Sequence, residues 1–350
     1  MVFTSCYSLG FYFATVMFLT AWLTFSGADS FAARAEISSQ ESAACVAASQ
    51  QVTARQSHEP IVPLPQSIDL DFRKVALGRK LFHDKRFSRD NTTSCASCHN
   101  VGTNGADTGR YSTGWEGGAT AVNTPTVFNS GFNFVQFWDG RAATLEEQAG
   151  DPIHNPVEMG SNWQTVLQKL GSDSDIKDQF SKIYSDGLTV KNIQDSVATF
   201  ERSLITPNSR FDNYLRGDEA AITSEEKTGY SLFKSFGCAA CHQGQNVGGN
   251  LYQRLGIFEN YFKKSKPDKA DQGRHNVTKD QRDYHVFKVP SLRNIELTAP
   301  YFHDGSVQSL GGAVQIMAYY QLGLSLSAKD SSCIVAFLKT LTGQKNWVQP

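Results

Sequence analysis

The sequence predicts a mainly α-helical chain built from two related halves. Three observations point there. Apolar residues recur at helical spacing through much of the chain, as in Ile193, Val197, Phe200 and Leu204. No alternating strand pattern competes with them. A set of landmarks also occurs twice in the same order. Gly78, Leu81 and Phe82 (GRKLF) are matched by Gly229, Leu232 and Phe233 (GYSLF). The stretch Pro125 to Asn129 (PTVFN) is matched by Pro290 to Asn294 (PSLRN), and Phe137 to Gly140 (FWDG) by Phe302 to Gly305 (FHDG). The remaining landmark is a short cysteine motif, CASCH at Cys95–His99 and CAACH at Cys238–His242.

In chain order, residues 11–25 form an apolar run of signal-peptide length, with a small-residue cleavage site at Ser26-Gly27-Ala28. Residues 1–28 are therefore read as a signal peptide and 29–65, rich in Ala, Ser and Gln and then Pro, as a flexible leader. The run is short for a bilayer span. No Lys or Arg precedes Arg34, so an uncleaved anchor is the alternative. The first helix is expected near Asp69, with Phe72, Val75, Leu81 and Phe82 on one face. Thr144 with Glu147, and Ser161 with Gln164, have capping-box spacing. Ile176, Phe180 and Ile183 mark a further helix, and the stripe from Ile193 to Leu204 stops before Pro207. The polar, turn-rich segment 206–218 suggests a boundary between a first domain, 66–208, and a second, 209–350. Thr223 and Glu226 open the next helix. Residues 243–283 read as a long loop region, and Ser327 with Asp330 opens a last helix carrying Ile334, Phe337 and Leu341, ended by Gly343.

Charge is almost balanced, 33 basic against 34 acidic residues, with no basic run. That argues against a nucleic-acid partner and for docking through local patches. Of the seven cysteines, Cys6 would leave with the signal. Cys45 and Cys333 stand apart from the motifs. A bridge between them is chemically allowed in an oxidising compartment. A free thiol and a small buried apolar residue is the preferred reading.

C-x-x-C-H is the attachment pattern of c-type haem. Its two thiols bind one edge of the porphyrin, and the adjoining His reaches the iron. The alternatives are one zinc site assembled from both motifs, or a redox dithiol. Two haems fit better, because the motifs lie far apart and each carries its own His. The prediction is therefore two cytochrome c-like haem domains related by internal duplication. Export agrees with it, since bacteria attach haem c outside the cytoplasm; the expected location is the periplasm.

Function then turns on the sixth position of each iron. Two strong ligands make an electron carrier; an open position permits chemistry. Met317 follows a helical run and could ligate the iron of His242, raising its potential; core packing is the alternative. In the first half, Glu158 lies among small and apolar residues, and so does Gln148. A carboxylate and an amide beside an open iron would suit peroxide cleavage, the first moving a proton and the second orienting the substrate. Glu158 as a surface or helix-entry acid is the alternative. His83 and His285 read as packing or surface residues, while His303 and Arg141 are weak candidates for haem propionate contacts.

From about Val75 to Thr342 the chain resembles the bacterial dihaem cytochrome c peroxidases. The matching stretches include LGRKLFHD, NTPTVFN, VQFWDGRAATLEEQA, NPVEMG, FERSLITPNSRFDNYLRGD, FKVPSLRNIELTAPYFHDGS and VQIMAYYQLG. The resemblance implies that His99 holds a peroxidatic haem. It implies that His242 and Met317 hold a high-potential haem fed by a small cytochrome c or cupredoxin, with Trp138 between them. It places Glu158 and Gln148 at the acid–base and amide positions, with hydrogen peroxide as substrate. It also implies a Ca2+ ion on the Asn123 side chain and the carbonyls of Thr298 and Pro300, and a homodimer. One departure matters: where many members carry an iron-capping loop His, this chain has Trp115. Indole has no free lone pair for iron, so an enzyme needing no reductive activation is expected. Trp115 as a redox or docking aromatic, or as plain loop packing, are the alternatives. MauG-like enzymes, which oxidise a partner protein, also lack that His but carry Tyr on the second haem. Met317 argues against that class, although Tyr319 and Tyr320 stand close by.

Overall fold

The first helix forms where a cap permits it. Asp71 accepts the Arg73 N–H at 2.9 Å, so α1 spans Phe72–Phe82 rather than starting near Asp69. A computed structural model describes residues 59–264 and 268–345. The expected signal peptide, most of the leader, Cys6 and Cys45 lie outside the described residues.

The helices continue as α2 (Cys95–Cys98), α3 (Leu145–His154), α4 (Trp163–Gly171), α5 (Ser174–Ile183), α6 (Val190–Ser203) and α7 (Arg210–Leu215). They are followed by α8 (Ser224–Ser235), α9 (His275–Thr278), α10 (Leu310–Leu322) and α11 (Ala328–Lys339). The described chain is mostly helical. Among its residues no helix is long and apolar enough to cross a membrane.

Several local expectations change. Thr144, Thr223 and Ser327 cap α3, α8 and α11. For α4, however, the cap is Asn162, which accepts from Thr165 N, and not Ser161. Phe72 is 77% exposed, off the buried face. The 206–218 segment holds α7, whose Phe211 and Asp212 are buried. The last helix stops at Lys339, ahead of Gly343. Strands also occur: β1 (Tyr252–Arg254) and β2 (Val286–Lys288) pair antiparallel, Tyr252 opposite Lys288. Three residues per strand is too short for an alternation to register in sequence.

Two large hydrophobic clusters form the core of the described residues, with a smaller third of Leu255, Phe262 and Phe287. The first draws on α1, α4, α5 and α6, through Leu81, Phe82, Leu170, Phe180 and Phe200. The second draws on α7, α8 and α11, through Phe211, Phe233 and Phe337. Ile61, expected in the loose leader, is buried in this second cluster, and Leu64 is buried too. The chain there runs extended, which conceals its burial from a periodicity argument.

The paired landmarks share geometry. α1 packs on α6 and α8 on α11. Gly78 lies against the Ser196 carbonyl, and Gly229 against the Cys333 carbonyl. Asn129 and Asn294 both adopt left-handed backbone, at φ 61 and 59°, and so do Phe137 and Phe302, at 67 and 70°. The segment after each folds back in an antiparallel bridge, Gln136 with Ala142 and Tyr301 with Val307.

Candidate haem sites

Each C-x-x-C-H motif lines a cavity. Cys95, Cys98 and His99 line one of about 140 Å³. Cys238, Cys241 and His242 line a more apolar one of about 450 Å³. In both motifs a single tight turn brings the cysteines and the His together. The backbone N–H of His99 donates to Cys95 O at 2.9 Å, and that of His242 to Cys238 O at 3.0 Å. Gly237, at φ 92°, makes the sharp entry to the second turn.

The residues fit covalent haem. His99 Nδ1 lies 3.2 Å from Gly105 O, which leaves Nε2 for a metal. His242 is fully enclosed; burial pushes its imidazole down to about 4, so the ring is neutral as a ligand must be. Its Nδ1 is buried without a hydrogen-bond partner among the described residues. Both cysteine pairs are unbridged.

The smaller cavity also gathers Glu158 and Gln148. Glu158 is held by the 155–160 turn: its N–H donates to Asn155 O at 3.1 Å and its carboxylate accepts Asn155 Nδ2 at 2.7 Å. Burial pushes this carboxyl above its ordinary range, opposed by the Arg141 charge and the Asn155 bond. Gln148 comes from α3, whose Thr144 cap fixes its start. Met159 lines the cavity as well, but its side chain is packed in the first hydrophobic cluster.

Trp115 lines neither cavity. Its indole N–H donates to Pro156 O at 2.8 Å, its backbone N–H donates to Glu158 O at 3.0 Å, and Arg89 sits over the ring. The residue clamps the turn that carries Glu158.

Met317 and Trp138 line the larger cavity. Met317 comes from α10, lines the same cavity as His242, and also packs against Leu255, Phe262 and Phe287. Tyr319 and Tyr320 do not line it; Tyr320 packs on Tyr261, 5.2 Å between ring centroids, and Tyr319 is half exposed. Trp138 donates its indole N–H to Asn123 O at 2.9 Å. Asn123, Thr298 and Pro300 line the same cavity, and the Asn123 amide N–H groups donate to Gly109 O and Arg110 O.

Of the weaker candidates, His303 lines the larger cavity and Arg141 the smaller, and each also makes protein contacts. His303 Nε2 lies 2.8 Å from Asp271 Oδ1. Arg141 is paired with Asp139 and Asp151. His285 stacks on Phe262, and His83 bonds its own helix at Arg79 O.

Two residues escaped the sequence reading. Glu201 sits on the buried face of α6 and lines the smaller cavity; burial pushes its carboxyl up to about 8. Its signal was a carboxylate one turn after Val197 in an apolar stripe. Lys288 is buried between Phe287 and Val289 and lines both cavities. A lysine in a three-residue strand carries no such signal.

Two cavities, each with its own Cys-Cys-His set, define a dihaem protein of the c type. The comparisons agree. Residues 72–220 match the family model described as di-haem cytochrome c peroxidase. The chain is 49% identical to cytochrome c peroxidase Ccp of Escherichia coli over 85% of its length, spanning 64% of that relative. It is 44% identical to the cytochrome c551 peroxidase of Nitrosomonas europaea, over 83% of this chain and 86% of that one. A crystal structure of a MauG-like protein associated with microbial copper homeostasis superposes with a TM-score of 0.69 at 28% identity, covering 82% of this chain and 94% of the other. The chain belongs to the dihaem cytochrome c peroxidase family.

Proposed function

We propose that the chain is a dihaem c-type peroxidase. It would reduce hydrogen peroxide to two waters with two protons from solvent and two electrons from a small cytochrome c or a cupredoxin, without prior reductive activation. The observation that carries this reading is an asymmetry. Glu158 and Gln148 share a cavity with His99, while Met317 shares the other with His242. Among the described residues no second His lines the His99 cavity.

Haem bound at His99 supplies the iron at which peroxide is bound and reduced. Glu158, as carboxylate, would take the proton from one peroxide oxygen and return it to the other as water leaves. Burial suits it to that exchange by bringing its proton affinity nearer to neutral pH. The Gln148 amide orients the peroxide and offsets developing charge. Met317 and His242 would hold the electron-receiving haem, and a thioether ligand raises its potential. Trp138 lines the His242 cavity beside Phe137, which lines both cavities, and would serve as a relay. Trp115 keeps Glu158 in place and does not cap the iron.

The residues also suit a Ca2+ ion on Asn123 Oδ1 and the carbonyls of Thr298 and Pro300, all oxygen donors. The shared backbone geometry of the two halves supports internal duplication. Periplasmic location and a homodimer complete the reading.

MauG-like oxidation of a partner protein is the second reading, favoured by the absence of a loop His. Met317, in place of Tyr319 or Tyr320, lines the His242 cavity and weighs against it. Stopped-flow mixing of the fully oxidised enzyme with peroxide and reduced cytochrome c separates them. Rapid multiple turnover with no lag is expected. A lag removed by pre-reduction would end the activation-free reading. Slow donor oxidation would favour the MauG-like one.

A further inference from the structure

The two cavities share a wall that includes Thr124 to Thr126, Asn133, Phe137 and Lys288. Lys288 is the charged residue in that wall. It is 6% exposed, and its ammonium has no hydrogen bond or ion pair among the described residues. The charge acting on it is Asp139, which is itself paired with Arg141 at 3.1 Å. Glu158 and Glu201, the carboxyls of the smaller cavity, are influenced by Arg141 and Arg202, not by Lys288. Burial pushes the Lys288 ammonium down to about 8. Its backbone is held in place: the N–H donates to Trp138 O at 2.8 Å, and β2 pairs with β1. A nearly buried cation whose nearest counter-charge, Asp139, is already paired with Arg141 is costly unless an anion arrives from outside the chain. Haem carries carboxylates, and Lys288 lines both cavities.

We propose that Lys288 is a positioning residue whose ammonium is the shared counter-ion of the two haems. It would pair with their propionate carboxylates and hold up both reduction potentials. The inference rests on the dihaem reading above. A nearby positive charge favours the reduced, less positive iron. At an effective dielectric of ~20 and a separation of ~10 Å, loss of one charge changes the redox equilibrium on the order of tenfold.

The test is potentiometric titration of both haems in the holoenzyme, for wild type, Lys288→Met and Lys288→Arg. Haem stoichiometry is counted separately by pyridine haemochrome. Lys288→Met is expected to lower the equilibrium constant for reduction of each haem about tenfold, ~59 mV for a one-electron couple. Lys288→Arg is expected to stay within about twofold of wild type. Lys288→Gln gives the same reading if the Met variant fails to mature. Potentials unmoved in a fully loaded neutral variant overturn the inference and leave the dihaem reading intact. A shift confined to one haem overturns the sharing. An Arg variant as perturbed as Met overturns the role of charge. Fewer than two haems in wild type would instead defeat the dihaem reading itself.

Discussion

Asn129 and Asn294, at matching places in the two halves, both donate their side-chain amides to the Thr206 hydroxyl, at 2.8 and 2.9 Å. All three residues are buried. One hydroxyl in the segment between α6 and α7 thus joins two turns that follow the two C-x-x-C-H motifs. Thr206→Val keeps the shape and leaves two buried donors short of an acceptor. It should cost ~1–3 kcal/mol, measured by chemical denaturation of the holoprotein. A change near zero would mean that the amides find other partners.

Gly78 lies in α1, where alanine would ordinarily stabilise a helix by ~1 kcal/mol. Here the Ser196 carbonyl leaves no room for a Cβ. Gly78→Ala should instead destabilise by ~1–3 kcal/mol through forced separation of α1 and α6. Gly229→Ala should do the same to α8 and α11, where the Cys333 carbonyl takes the equivalent place. Thermal unfolding followed by circular dichroism reads the sign directly. A gain in stability in either variant contradicts the close approach.

Glu158→Gln keeps the size and removes the proton acceptor. Peroxide turnover should fall ~10²–10⁴-fold, with both haems retained. The wild-type rate should also drop as pH falls through the Glu158 pKa, because protonation removes the base. Burial puts that midpoint above the ordinary carboxylate range. The variant should lack this acid limb. An unchanged pH profile would assign the limb to another group.

Glu201 bears on stability. Burial holds its folded pKa at about 8, above the ordinary carboxyl value of 4.5. Between those values the unfolded chain releases a proton that the folded chain keeps, so this group makes stability fall as pH rises across the window. Above it the penalty is constant. Glu201→Gln removes the effect. Its melting temperature should therefore gain on wild type between pH ~4.5 and ~8, by an amount equivalent to a few kcal/mol at most. A gap that stays constant with pH would show that Glu201 is not held protonated.

Much of this protein is legible in one dimension. C-x-x-C-H is read by spacing alone, because covalent attachment demands neighbouring thiols and an adjoining imidazole. The helices announce themselves through caps such as Thr144 and Thr223, which act within one turn. The repeated landmarks are local too, because left-handed backbone at Asn129 and Asn294 belongs to short turns. What needed the tertiary structure is whatever depends on chain folded back from afar. Ile61 joins a core built from residues 211–341. Trp115 spends its indole N–H on Pro156 and lines neither cavity. Lys288 becomes a wall between two cavities only when β2 is brought beside Trp138. Covalent and capping chemistry acts over a few residues and leaves a pattern in sequence; burial and charge pairing act through space and leave none.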